Sequence, residues 1–363
     1  MCRVALILAL LLAGCAGQGT GHLAAFTAEG NAVAPAGPPL APLLAERAIT
    51  ARDGARLPLR AWLPEGKPRA VILALHGFND YSNAFAAPAA VWAKDGIATY
   101  AYDQRGFGDA PLRGGWPGTR LLAEDLATAS RLIKARHPQT PLYCLGESMG
   151  GAVVATAASG EAGAPRPACD GIILAAPAVW ARETMTFFER AALWTGDTFF
   201  PDMTLTGRGL NIMPSDNIEM LRQLARDPLV IKETRVAAVK GLVDLMDTAL
   251  ASAPQVTAPM LLLYGDRDEL VPRAPTERFI AGLPFAERRT RRIAWYEAGY
   301  HMLLRDLEAP AVWRDVGSWI GDHDAPLPSG ADRRASSVLF AGGVGEAAPA
   351  LERQAAAPST GAH

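Results

Sequence analysis

Ser148 stands in Leu142-Tyr143-Cys144-Leu145-Gly146-Glu147-Ser148-Met149-Gly150-Gly151, where an apolar run stops at a serine flanked by glycines. The Gly-x-Ser-x-Gly spacing suits a sharp strand-to-helix turn that exposes a nucleophilic hydroxyl, and glycines tolerate the strain and close packing of that turn. A serine hydroxyl attacks only when a base takes its proton and a third group orients that base. The chain has 6 histidines, so the base can be sought by elimination. His22 lies in a Gly/Ala/Pro-rich stretch, and His323 and His363 lie at or in the C-terminal tail. His76 ends a strand ahead of the nucleophile, and His137 caps a helix before Pro138. His301 remains, in Glu297-Ala298-Gly299-Tyr300-His301, just past the last strand run. Loops after strand carboxyl ends are where a parallel sheet gathers its site. The acid belongs after the preceding strand, in the order Ser, Asp, His. There the chain reads Tyr264-Gly265-Asp266-Arg267-Asp268-Glu269-Leu270-Val271-Pro272, and Asp266 and Asp268 are both candidates.

Such a set needs a rigid frame. Ala70 to Leu75 is a continuous apolar run ending in His76-Gly77, as a strand buried on both faces requires. Further strands are expected at Ile97 to Tyr102, at the run before Ser148, and at Gly171 to Ala176, Pro259 to Tyr264 and Arg292 to Tyr296. Helical spacing covers Ser82 to Lys94 and Thr119 to Arg136, the latter stopping before Pro138. Ala48 to Thr50 and Leu57 to Leu63 bracket Asp53-Gly54, a hairpin signal. Strands alternating with helices imply an α/β fold with a mostly parallel sheet. Between residues 178 and 256 the alternation breaks into a helical, aromatic-rich segment with no convincing strand. It includes Trp180, Phe187, Phe188, Trp194, Phe199 and Phe200 and is expected to form a lid over the site or to pack onto the body.

The 363 residues carry 35 basic and 37 acidic side chains, so no field draws nucleic acid. The one dense basic run, through Arg288, Arg289, Arg291 and Arg292, is expected to be a solvated turn. No zinc-type Cys/His spacing and no phosphate-cradling Gly-rich loop is present, so no metal or cofactor is expected. Arg3 and the apolar run Val4 to Leu12 have the length of a signal peptide and are too short to span a bilayer. Leu12-Ala13-Gly14-Cys15 resembles a bacterial lipobox, which implies lipid attachment at Cys15 and an envelope location, with Ala16 leaning towards the outer membrane. The expected organisation is signal peptide 1–14, tether 15–45, core 46–177, lid 178–256, core 257–323 and disordered tail 324–363. Cys144 and Cys169 read as small buried hydrophobes, a disulfide between them being the lesser alternative.

Five motifs in order then carry a resemblance. They are His76-Gly77-Phe78, Asp103-Gln104-Arg105-Gly106-Phe107-Gly108, Gly146-Glu147-Ser148-Met149-Gly150-Gly151, Gly265-Asp266-Arg267-Asp268 and Gly299-Tyr300-His301. Over roughly residues 46–322 the chain resembles the α/β-hydrolase family, in its monoacylglycerol lipase and lysophospholipase branch. The resemblance implies an acid three residues after the strand-end glycine, which is Asp268, and a serine ester hydrolase of acyl glycerols. Glu147 departs from the His of many branch members, with an expected effect on tuning. The expected oxyanion donors are the backbone amides of Met149, at a helix N-terminus, and Phe78, whose loop Gly77 lets come close. A proline-iminopeptidase-like peptidase holding a substrate amine on Glu219 or Glu233, and a binding module on the same fold, are the alternatives.

Overall fold

The computed structural model describes residues 40–207, 212–285 and 290–341. The expected signal peptide, Cys15, most of the tether, Arg288, Arg289 and the end of the tail lie outside the described residues. Eleven strands are present among them: β1 (Leu43–Leu44), β2 (Ala48–Thr50), β3 (Arg56–Trp62), β4 (Ala70–Leu75), β5 (Ile97–Tyr102), β6 (Leu142–Glu147), β7 (Gly171–Ala175), β8 (Thr204–Thr206), β9 (Glu233–Arg235), β10 (Met260–Gly265) and β11 (Arg291–Tyr296). Nine form one sheet in the order β1-β2-β3-β5-β4-β6-β7-β10-β11. The pairs from β5 to β11 are parallel, and β1, β2 and β3 join antiparallel at one end. This is the α/β-hydrolase architecture that the motif order implied.

The apolar runs form strands because both sheet faces are covered. Along β4, Val71, Leu73 and Leu75 enter one core while Ala70, Ile72 and Ala74 enter the other, all at most 1% exposed. The first core is closed by α2 (Thr119–Arg136), α3 (Met149–Ser159), α6 (Val236–Ala251) and α7 (Arg273–Gly282) through side chains such as Leu126, Val153, Leu245 and Phe279. The second is closed by α1 (Ala86–Lys94) and α8 (Ala309–Gly321) through Trp92, Val316 and Trp319. The strand order turns back on itself at β4, with β5 on one side and β6 on the other. A crevice opens at such a switch point beyond the strand carboxyl ends. The loops after β4 and β6 carry Phe78 and Ser148 to it.

Four expectations need correction. The sheet begins inside the expected tether: β1 pairs with β2, and the Leu40 amide donates to the Arg52 carbonyl at 2.8 Å. The segment expected to be a helical lid carries α4 (Phe187–Phe199) and α5 (Ile218–Arg226), but also a two-stranded ribbon, β8–β9. Each of those strands has 3 residues, too few for alternation to register in the sequence. The expected disordered tail contains α9 (Ala331–Ala341), whose Ala331, Asp332 and Ala335 are buried. Its anchors are ion pairs Arg292–Asp332 at 3.5 Å and Arg334–Glu297 at 2.8 Å, so Arg292 holds the chain end rather than facing solvent. Alanine-rich composition read as low complexity is here a helix with a small face packed on β11. Finally, Cys144 and Cys169 are disulfide-bonded across 5.8 Å between Cα atoms, because β6 and β7 are neighbours and Cys169 just precedes β7.

Candidate active site

β6 ends at Glu147 and α3 begins at Met149, so Ser148 alone makes the turn, at φ 53° and ψ −116°. A non-glycine residue pays strain for that backbone, and here neighbouring bonds hold it. The Ser148 amide donates to Ala175 O at 2.9 Å, and its carbonyl accepts from Ala152 N at 3.1 Å and Ala178 N at 3.0 Å. The flanking glycines are required by space. A Cβ on Gly146 would lie 2.2 Å from Gly150 O, and one on Gly150 would lie 2.1 Å from Leu75 O. The strand and helix therefore approach backbone to backbone, and the serine side chain is left half-buried at the crevice.

Beyond β10 and β11 the structure brings Asp268 and His301 together, with His301 Nδ1 2.8 Å from Asp268 Oδ2. The Asp268 side chain is fully buried, and its other oxygen accepts from Leu270 N at 2.8 Å and Val271 N at 2.9 Å. With only an acceptor facing Nδ1, that nitrogen carries the proton and Nε2 is left as the base. Burial works to lower the His301 pKa, yet the Asp268 carboxylate and more weakly Glu147 outweigh it, and the net direction is upward. Asp266 does something else: its Oδ1 accepts from the Trp295 indole at 2.9 Å. Among the described residues no hydrogen bond joins Ser148 Oγ to His301, so the acid–base half of a relay is formed and the nucleophile–base half is open. Apo sites commonly show this looseness.

The loop after β4 is set by His76. Its Nε2 accepts from Gln104 N at 3.0 Å, so its proton sits on Nδ1 and points to Gly77 O at 2.8 Å. Full burial pushes the pKa of this ring down and keeps it neutral. Asp80 N also donates to Gly77 O, at 3.3 Å. Both bonds grip the carbonyl end of the Gly77–Phe78 peptide, and the Phe78 N–H points the opposite way in a trans peptide. A Cβ on Gly77 would lie 4.0 Å from Ser148 Oγ, which measures how closely that peptide approaches the serine. Met149 opens α3, so its amide has no helical acceptor and shares the positive end of the dipole. The donors expected from the sequence, the Met149 and Phe78 amides, thus belong to the helix N-terminus next to Ser148 and to the loop that approaches it.

Sequence reasoning missed Arg305. It is buried four residues past His301, with ion pairs to Asp80 Oδ2 at 2.7 Å and Glu147 Oε2 at 2.9 Å. It also missed how the lid is stitched to the loops. Asn79 O accepts from Ile231 N at 2.9 Å, Asn79 Nδ2 donates to Thr234 Oγ1 at 2.6 Å, and Tyr81 OH donates to Asp227 Oδ2 at 2.7 Å. On the other side Met302 N donates to Pro214 O at 2.9 Å and Asn217 Nδ2 to Arg305 O at 3.0 Å. A cation directly after the apolar run Met302-Leu303-Leu304 was the one available signal, since a charge carried into the interior with that run needs a buried partner.

Between α4 and α6 of the segment expected to be a lid lies an apolar cavity of about 280 Å³, lined by Trp180, Leu193, Leu242, Val243 and Met246 and by Leu270 of the acid loop. Of the aromatics expected to roof the site, Trp180 lines the cavity, whereas Phe199 and Phe200 do not and are 62% and 55% exposed. Glu219 and Glu233 are exposed as well, and Glu189, the carboxylate that does line the cavity, is occupied in capping α4 through Thr186 N at 2.7 Å. No cluster of metal-ligating side chains occurs among the described residues.

Residues 66–308 match the family described as serine aminopeptidase, S33. The chain is 26% identical over 284 residues to a monoacylglycerol lipase of Mycolicibacterium smegmatis, covering 77% of this chain and 97% of that one. It is 27% identical over 290 residues to the monoglyceride lipase of Mus musculus, covering 77% and 91%. Among solved structures, a soluble variant of monoglyceride lipase from Saccharomyces cerevisiae, in complex with a substrate analog, aligns with a TM-score of 0.62 at 19% identity over 75% of this chain and 93% of that one. The family match runs from before β4 to past His301 and so takes in all five motifs. On that span, the chain belongs to the serine aminopeptidase (S33) family of α/β-hydrolases.

Proposed function

We propose that the protein is a serine hydrolase that cleaves carboxylic esters of acyl glycerols through an acyl-enzyme on Ser148. The observation that carries this reading is the buried Asp268–His301 pair, 2.8 Å apart, whose acid loop also walls an apolar cavity through Leu270. Ser148 Oγ attacks the ester carbonyl carbon as His301 Nε2 takes its proton. The oxyanion is held by the Phe78 and Met149 amides. Collapse breaks the acyl–oxygen bond, and His301 returns the proton to the departing glycerol alkoxide. Water then repeats the sequence on the acyl-enzyme and releases the fatty acid. An apolar cavity suits an acyl chain, since each buried methylene contributes about 0.8 kcal/mol. Neutral head groups are favoured over phosphate, because Arg291 and Arg292 start β11 and so lie at the sheet edge opposite the site. The family's peptidase description supports a second reading, but the carboxylates offered to hold a substrate amine stand outside the cavity or are occupied. The test is a panel of glyceryl esters from acetyl to palmitoyl beside aminoacyl anilides. Efficiency rising with acyl length supports the proposal, and turnover confined to substrates with a free amino terminus overturns it.

We further propose that the chain is lipid-anchored at Cys15 in the cell envelope, outer membrane favoured. The lipobox supports this, and so does the Cys144–Cys169 disulfide, a bond that persists in oxidising compartments.

A further inference from the structure

We propose that Arg305 is a positioning residue that fixes the separation of the two oxyanion donors, acting through Asp80 on one side and Glu147 on the other. This rests on the acyl-transfer reading of the site. Asp80 lies two residues after Phe78, and its amide closes the turn onto Gly77 O that orients the Phe78 peptide. Glu147 lies two residues before Met149, at the last position of β6. A single guanidinium reaches both carboxylates, through Nη1 at 2.7 Å and Nη2 at 2.9 Å, and all three residues are buried. Its own backbone belongs to the His301 loop, where Arg305 N donates to Met302 O at 2.7 Å.

The three loops come from β4, β6 and β11, strands that do not all touch one another. β4 and β6 pair in register up to Leu75↔Gly146, which aligns the two strand ends, but β11 touches only β10, so pairing does not tie the loops beyond the strand ends to the His301 loop, and the fork of Arg305 does. Its planar, two-pronged geometry is what a bridge between two carboxylates needs, and a lysine ammonium on a flexible stem cannot reproduce it. Position 147 gains a reason as well: a glutamate there is the second prong's partner, so the departure from the branch's histidine is one half of a charge pair whose other half is Arg305. Oxyanion donors act in the transition state and not in ground-state binding, so the bridge should be read in kcat and not in KM.

The experiment uses Asp80→Asn, Glu147→Gln and Arg305→Lys in the full-length protein. The isosteric amides break one prong each without stranding a buried negative charge, and circular dichroism and the thermal midpoint report folding separately. Expected are a fall in kcat of about ten- to a hundred-fold in each variant with KM within about two-fold, short of the ~10²–10³-fold loss on deleting a donor outright. Affinity for a boronic acid, which forms a tetrahedral adduct on serine, should fall by the same factor as kcat. Folded Asp80→Asn and Glu147→Gln proteins that keep wild-type kcat and boronate affinity would overturn the inference. So would losses that appear only in KM. If wild type itself hydrolyses no ester, the functional reading fails instead, and the two failures are thereby distinct.

Discussion

Asp266 and Asp268 are two residues apart and differ in burial and in partner. Asp268 faces His301 Nδ1 from a fully buried side chain, whereas Asp266 is bonded to the Trp295 indole. Asp268→Asn should lower kcat by roughly 10⁴-fold with little change in thermal midpoint, because the amide no longer selects the Nδ1–H tautomer. Asp266→Asn should instead cost about 1 kcal/mol of stability and leave kcat near wild type. Reversed phenotypes in a paired melt and rate measurement would exchange their roles. The pH dependence follows from His301. Its pKa is raised, so kcat/KM should fall on the acid side with a midpoint above 6.5, where the base becomes protonated. Glu147 contributes to that rise, so Glu147→Gln should move the acid limb to lower pH, and an unmoved or upward-shifted limb would contradict the electrostatics. At this scale the sequence was legible where chemistry demands a residue type at a fixed spacing, as at Ser148 and His301. Arg305 and His76 were not legible in their roles, because what they do depends on partners brought in by other strands.

The elements that read clearly were those whose pattern is set by their own burial. The strands β4, β5, β6, β7 and β10 are buried at every position, so their apolar runs are continuous and their limits shift by a residue at most. The ribbon β8–β9 and the helix α9 escaped because their stability comes from what they dock against. Exposed aromatics likewise misled: Phe199 and Phe200 are apolar enough to suggest a cover, yet they face outward. The acyl path is expected instead through the cavity between α4 and α6. Val243→Phe, placed in its wall, should depress turnover of long-chain glyceryl esters by at least ten-fold while acetyl ester turnover stays within about two-fold. The overpacking itself should destabilise by about 1–3 kcal/mol, read in the melt. Phe199→Ala with Phe200→Ala should leave the chain-length profile unchanged. If the double alanine flattens the profile and Val243→Phe does not, the acyl chain runs elsewhere.

At the scale of the whole molecule, a hydrolase body, a lid stitched to two of its loops and a leader with a lipobox make one proposed arrangement: an esterase held at a membrane that supplies its substrate. No helix among the described residues is long and apolar enough to cross a bilayer. The proposed anchor rests on the lipobox at Cys15. Cys15→Ser should shift the protein from the membrane pellet to an unprocessed or soluble form, and a palmitate analogue should label wild type alone. Absence of label on wild type would remove the anchor without touching the chemistry. The chemistry is tested most directly by incubating wild type and Ser148→Ala with a long-chain monoacylglycerol, quenching in acid, and locating bound acyl groups by peptide mass spectrometry. The account predicts an acyl adduct on the Ser148 peptide of wild type, with glycerol and fatty acid released, and neither adduct nor release in a folded Ser148→Ala protein. An adduct on another residue, or release that continues without Ser148, would contradict it.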